Sequence, residues 1–281
     1  VALIDTCTVE DSGAASVLAH EKVRGTLLRS TFTRNAGSAS VVGIGSSDLV
    51  IDEVTISSSQ SGGIFFQETA GAAIMRTRIT GCQLAALDVA TTEPIQADEI
   101  IAKDNASAGV LVRNRAKLLL RGSQLDESAQ GHVWVLDTGI LAMSDCRLAR
   151  GALGLWVQEG GAAVVHACRF EEHSGIAVDA QPRSTIELSF VDIAQAGGDA
   201  ALVGEGATLR MTASMVTGAG GAGVRVEATG VAVLESVTLS ACAGGEVVGE
   251  ATRTESELPQ QEQAAAAALA FSRAVRSRLV G

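Results

Sequence analysis

The chain contains no tyrosine and only two tryptophans and six phenylalanines in 281 residues. Its core must therefore be built from many small and aliphatic side chains rather than from a few large rings. No apolar run approaches the length of about twenty residues that a membrane-spanning helix needs. Lysine and arginine number 21 against 32 aspartates and glutamates, a net charge of −11. That balance lacks the clustered cations that displace counterions from phosphates, and it argues against a nucleic-acid groove. Acidity of this kind keeps an apolar-rich chain in solution, with small basic partners or metal ions left open. The five cysteines, Cys7, Cys82, Cys146, Cys168 and Cys242, are odd in number and show no C-x-x-C spacing. A complete disulfide framework and a zinc site are both disfavoured, and no cofactor is expected. The first residue is Val1, with no basic-then-apolar leader after it. We read it as the start of a processed or excised fragment, so no signal indicates the compartment.

What the chain does have is a repeat with a period of about 23 residues. Eleven units cover 1–24, 25–47, 48–70, 71–94, 95–116, 117–139, 140–161, 162–183, 184–207, 208–230 and 231–253. Two columns recur. The first pairs Cys7 with Val9, Thr31 with Thr33, Val54 with Ile56, Thr77 with Ile79, Ile100 with Ala102 and Ser123 with Leu125. It continues through Cys146 with Leu148, Cys168 with Phe170, Val191 with Ile193, Ser214 with Val216 and Val237 with Leu239. Alternation with a period of two puts both members of each pair on one face, directed inward. The second column opens on a small residue: Ser16, Ser40, Gly63, Ala86, Gly109, Gly131, Gly154, Gly175, Gly198, Gly223 and Gly245. Apolar pairs such as Ile64 and Phe66, Leu155 and Val157, or Ile176 and Val178 follow it, and glycine there suits a bend.

A unit this short cannot bury an apolar face alone, and none holds a helical stretch. Stacked in parallel, each strand pairs with the ones above and below. A leucine-rich repeat shares the period but requires a leucine and asparagine ladder that is absent. The pattern resembles the right-handed parallel β-helix of the pectin-lyase-like superfamily over residues 1–253. The resemblance implies an all-β rod of about eleven coils of ~23 residues. It implies little about activity, because the superfamily includes lyases, hydrolases, adhesins and inert stalks. With only Asn35, Asn105 and Asn114 present, no stacked asparagine ladder is expected. Residues 254–281 read as a polar linker and a C-terminal α-helix, N-capped by Ser256 with Pro259 in its first turn. Leu269, Phe271, Val275 and Leu279 offer that helix a face, either to cap the end coil or to lead into an adjacent domain.

Candidate chemistry is sparse. His20, His132, His166 and His173 share no column, and Glu171, Glu172 and His173 read as a solvated turn. Arg147 and Arg169 stack on the outer face, where they grip an acidic sugar bidentately or pair with Asp145 and Asp192. Trp134 and Trp156 are 22 residues apart, and Asp137 and Glu159 follow at the same offset of three. In one register both indoles project outward beside the two carboxylates, a flat surface for a sugar ring that Phe65 and Leu111 extend. In the competing register Gly131 aligns with Gly154, and Trp134 and His132 turn into the core. Asp137 and Glu159 are the only stacked carboxylates for catalysis, while the motifs that mark the superfamily's lyases and hydrolases are missing. HVWVLD, from His132 to Asp137, resembles the lyase stretch only superficially. The expectation is a non-catalytic extracellular or cell-surface module, structural or adhesive, with a polysaccharide or cell-surface glycan as partner. A polysaccharide lyase or glycoside hydrolase is the alternative.

Overall fold

The computed structural model describes residues 1–254. They form 34 strands and no helix, in three parallel sheets of twelve, eleven and eleven strands. Each sheet takes every third strand, so one turn of the chain adds one strand to each sheet. The result is the expected right-handed parallel β-helix, with eleven full coils and the opening strand of a twelfth. With strands spaced about 4.8 Å apart, the stack is about 50 Å tall. Thr254 ends the last strand, Ala251–Thr254. The rest of the expected linker and the C-terminal helix lie outside the described residues.

The inward rows follow from alternation. In the second sheet Val9, Phe32, Ile56, Ile79, Ala102, Leu125, Leu148, Phe170, Ile193, Val216 and Leu239 face one another coil by coil. Those between Phe32 and Ile193 are at most 1% exposed. The expected pair Thr31 and Thr33 is corrected by one residue, since Ser30 and Phe32 point inward and the two threonines outward. A slip of one exchanges the faces of a strand, and the Phe32 ring gains more by burial than a threonine. Ser30 tolerates the interior because its hydroxyl donates to the Leu28 carbonyl and accepts from the Cys7 amide.

The bends differ from expectation: of the glycines in the expected column only Gly245 takes a positive φ, 98°, and the left-handed corners lie elsewhere. Most corners between the first and second sheets turn on one residue in the left-handed region, and few of these are glycine: Arg29, Glu53, Arg76, Glu99 and Asp145 have φ between 43° and 56°. A side chain there costs roughly 1–2 kcal/mol. Stacking offsets the cost, because each corner amide donates to a carbonyl of the next coil, as Arg29 N does to Asp52 O at 3.0 Å and Glu53 N to Met75 O at 3.2 Å. The charged side chains then pair along the rod, Arg29 with Asp5 and Arg76 with Asp52.

Candidate functional site

Trp134 and Trp156 lie on neighbouring strands of the third sheet, Gly131–Val135 and Leu155–Val157, directly opposite each other. Val133, Val135, Leu155 and Val157 are fully buried, so alternation directs both indoles outward, where each is half-buried. The outward register is therefore the one adopted. The flat surface is corrected, because the rings meet edge to face, with centroids 5.1 Å apart and planes at 83°. The ring quadrupole favours that contact over a flat stack. Room for it comes from Gly131, where an added Cβ would lie 2.7 Å from Trp134 Nε1.

The outward column continues on both sides. From the N-terminal end it runs Phe65, Asp88, Leu111, Trp134, Trp156, Asp179, Leu202 and Arg225. Asp88 thus interrupts the stripe that Phe65 and Leu111 were expected to extend. Arg113 grips Asp88 with both arms, Nε at 3.1 Å and Nη2 at 3.0 Å, and its guanidinium lies 5.7 Å from the Phe65 ring centroid. Burial outweighs the arginine's charge and raises the Asp88 carboxyl above its ordinary range. Asp179, beside Trp156, is only 6% exposed. Burial raises its carboxyl too, and Gln181 Nε2 donates to its Oδ1 at 2.7 Å. Arg225 is held by Asp199 at 2.6 and 3.1 Å.

Asp179 escapes the sequence pattern. That pattern puts the small-residue column on Gly131, Gly175, Gly198 and Gly245, whereas the ladder puts His132, Ala177, Ala200 and Glu246 there. The inward pair after that position is Val178 and Ala180 rather than Ile176 and Val178, which aligns Asp179 with Trp156. The signal for it is V-D-A, an outward residue flanked by two small apolar ones.

Asp137 and Glu159 do come together, but in the exposed turn beyond the strand, at φ 49° and 55°. A hydrogen bond with Asp137 raises the Glu159 carboxyl, and their mutual repulsion adds to it, while Arg183 opposes the shift. Arg147 and Arg169 stack as expected. The carboxylate between them is Glu171 rather than Asp145, at 2.7 Å from Arg147 and 3.5 Å from Arg169, and Asp192 lies 3.6 Å from Arg169. Their charge is already compensated.

The largest departure is inside. His173, expected in a solvated turn, is buried, and so is His132, although the tryptophans face outward. The two imidazoles meet at 5.3 Å, edge to face. Glycines make room for them: a Cβ on Gly151 would lie 2.7 Å from His132 Nε2, and one on Gly154 would lie 3.0 Å from His173 Nε2. Among the described residues, no partner within hydrogen-bond geometry reaches any of the four ring nitrogens. Burial lowers His132 to about 4, opposed by the nearby Ala149 backbone and helped by the charges of Arg150 and Arg147, and burial beside His132 lowers His173 to about 3. Both rings are neutral at pH 7.

Cys146 and Cys168 sit buried on adjacent coils as free thiols. Burial raises Cys168 well above the usual range and pushes Cys82 up to about 12, so neither is a nucleophile. Among the described residues, no three histidine, cysteine or acidic side chains gather as a metal site. No helix there is long and apolar enough to cross a membrane.

A family model described as "Right handed beta helix region" matches residues 39–191 and 92–239. No curated protein matches. Among solved structures, the Agl-KA catalytic domain superposes with a TM-score of 0.55 at 10% identity, over 90% of this chain and 62% of that one. The chain therefore spans less than two thirds of that relative, and the likeness shows the fold alone. An alginate lyase from Paenibacillus sp. str. FPU-7 gives a TM-score of 0.45 at 10% identity, over 88% of this chain and 99% of that one. The Azotobacter vinelandii mannuronan C-5 epimerase AlgE4 A-module gives 0.41 at 9%, over 88% and 87%. With more than half of its length matched by the family model and three parallel sheets wound coil upon coil, the chain belongs to the right-handed β-helix family.

Proposed function

We propose that this chain is a non-catalytic module that works outside the cell or on its surface, as a structural or adhesive rod that binds carbohydrate on its third sheet. The observation that carries this reading is the pair of half-exposed indoles on adjacent coils, with Gln158 and Gln181 at the edge of the same sheet and the Asp179 carboxylate next in the column. With the two rings at right angles, one indole face takes the C–H side of a pyranose while its neighbour meets it edge on, and fixed polar groups around them take the hydroxyls. Replacing both indoles, Trp134→Ala with Trp156→Ala, is expected to weaken retention on polysaccharide affinity gels at least tenfold, since buried aromatic anchors dominate such contacts. Retention equal to the parent chain would remove the binding function and leave a plain rod, whose melting temperature no glycan shifts.

A second reading, as a lyase or hydrolase, is favoured by one observation: Asp137 and Glu159 take the same turn position on adjacent coils, and Asp137 raises the Glu159 carboxyl, as in an acid paired with a carboxylate. If they are catalytic, the parent chain depolymerises a polysaccharide, and Asp137→Asn or Glu159→Gln lowers that rate by two or more orders of magnitude. If they are a turn, reducing-end and unsaturated-product assays stay flat for all three proteins.

A further inference from the structure

We propose that the ligand of the tryptophan face is a neutral glycan chain lying along the rod axis, and that the face rejects uronate and sulfated chains. The inference rests on the binding function proposed above and narrows it to a substrate class.

The first ground is the state of the cations. Recognising a sugar carboxylate or sulfate takes a guanidinium or ammonium with donors to spare. The outward column and its flank carry Arg113 and Arg225, and each is already gripped with two hydrogen bonds, by Asp88 and by Asp199. Releasing either arginine would strand a carboxylate that is only 21% or 13% exposed. Stranding a largely desolvated charge is costly. The row of turns beside the face adds Arg115 and Arg183, whose guanidiniums no carboxylate among the described residues holds, but the same row carries Asp137, Glu159, Glu205 and Glu227 and so stays net negative. Asp179 contributes a further carboxylate within the column itself, and no cation among the described residues bonds to it. An approaching anion meets net negative charge in a partly desolvated setting, where repulsion is least screened.

The second ground is geometry. Leu111, Trp134, Trp156 and Asp179 occupy successive coils in one straight column. Their spacing of about 4.8 Å is close to the length one pyranose ring occupies along an extended chain, so consecutive sugars meet consecutive side chains. Asp179 has one oxygen engaged by Gln181 Nε2 at 2.7 Å and the other left to accept from a hydroxyl. Neutral sugars supply hydroxyl donors, and a uronate supplies a second carboxylate.

The test uses the whole 281-residue chain in calorimetric titrations against neutral hexasaccharides (β-1,4-glucan, mannan, xylan and N-acetylglucosamine) and against oligogalacturonate and oligomannuronate. Binding of at least one neutral hexasaccharide, lost in the Trp134→Ala and Trp156→Ala chain, with acidic oligomers at least tenfold weaker, is expected. Tryptophan-dependent binding that prefers the acidic oligomers would overturn the neutral class and leave carbohydrate binding standing. Failure of every oligomer would overturn both. A second variant tests the cause. Asp88→Asn keeps the shape and frees the Arg113 guanidinium, so it is expected to raise affinity for oligogalacturonate about fivefold or more and to leave the neutral ligand unchanged. No gain in a variant with the parent melting temperature would show that sequestered arginines do not set the preference.

Discussion

Acidification from pH 7 to 5 is expected to cost this protein about 4 kcal/mol of folding stability through His132 and His173 alone. In the unfolded chain each imidazole titrates near the ordinary value of about 6.5; in the rod, burial lowers them to about 4 and about 3. Their depressed values mean that between those limits the unfolded state holds more protons than the folded one. Stability is unaffected above the unfolded value and falls as the pH drops below it, by about 1.4 kcal/mol per unit for each ring. The loss levels off only below the folded values. His166, half-buried and lowered in the same direction, adds to the slope, while carboxylates held down by arginines, such as Asp98 and Asp199, act only at lower pH. The measurement is urea unfolding at pH 7, 6 and 5. His173→Ala supplies the control, because Ala196 and Ala219 hold the equivalent inward turn position on the next two coils and are 3% exposed. That variant loses stability at pH 7 to its cavity, but its slope should be about half that of the parent. An unchanged slope would mean that the imidazoles are not the groups responsible.

Phe170→Ala is expected to have an effect of similar size, a loss of about 3–5 kcal/mol at pH 7. Phe170 is fully buried in the second-sheet row, between Leu148 and Ile193 on the adjoining coils. Both neighbours are held by parallel ladders that cannot close inward without breaking register, so the cavity stays open. The ring also lies 6.2 Å from His173. Water entering the vacated space would solvate that imidazole and return it toward its ordinary value, so the pH slope of the variant should also be shallower than that of the parent. The two readouts separate packing from titration. An equivalent loss of stability with an unchanged slope would mean that the cavity stays dry.

The period, the alternation and the absence of helix in residues 1–254 are all legible in the amino-acid order, because stacking identical coils demands that like residues recur at like positions. The pairing of Trp134 with Trp156 is legible for the same reason: Val133 and Val135 match Leu155 and Val157. Register is harder to read wherever a unit changes length. Thr31 and Phe32 differ by a single step, and Gly175 lies two residues before the true small position, so the column is lost there and Asp179 with it. The corners are illegible for a different reason. Glycine marks a bend when it is present, but here arginine, glutamate and aspartate take left-handed conformations that only stacked hydrogen bonds make affordable, and no local pattern announces them.

The amino-acid order by itself determined the architecture, since rows of small aliphatic side chains every two dozen residues or so find water-free surroundings only in a stacked coil. Tertiary structure alone decided what each face presents. It set the two indoles at right angles, placed Asp179 beside them, tied Arg113 and Arg225 to carboxylates more than twenty positions away in sequence, and brought two histidines 41 residues apart into contact. These contacts run between coils, and their chemistry depends on the register in which one turn settles on the next.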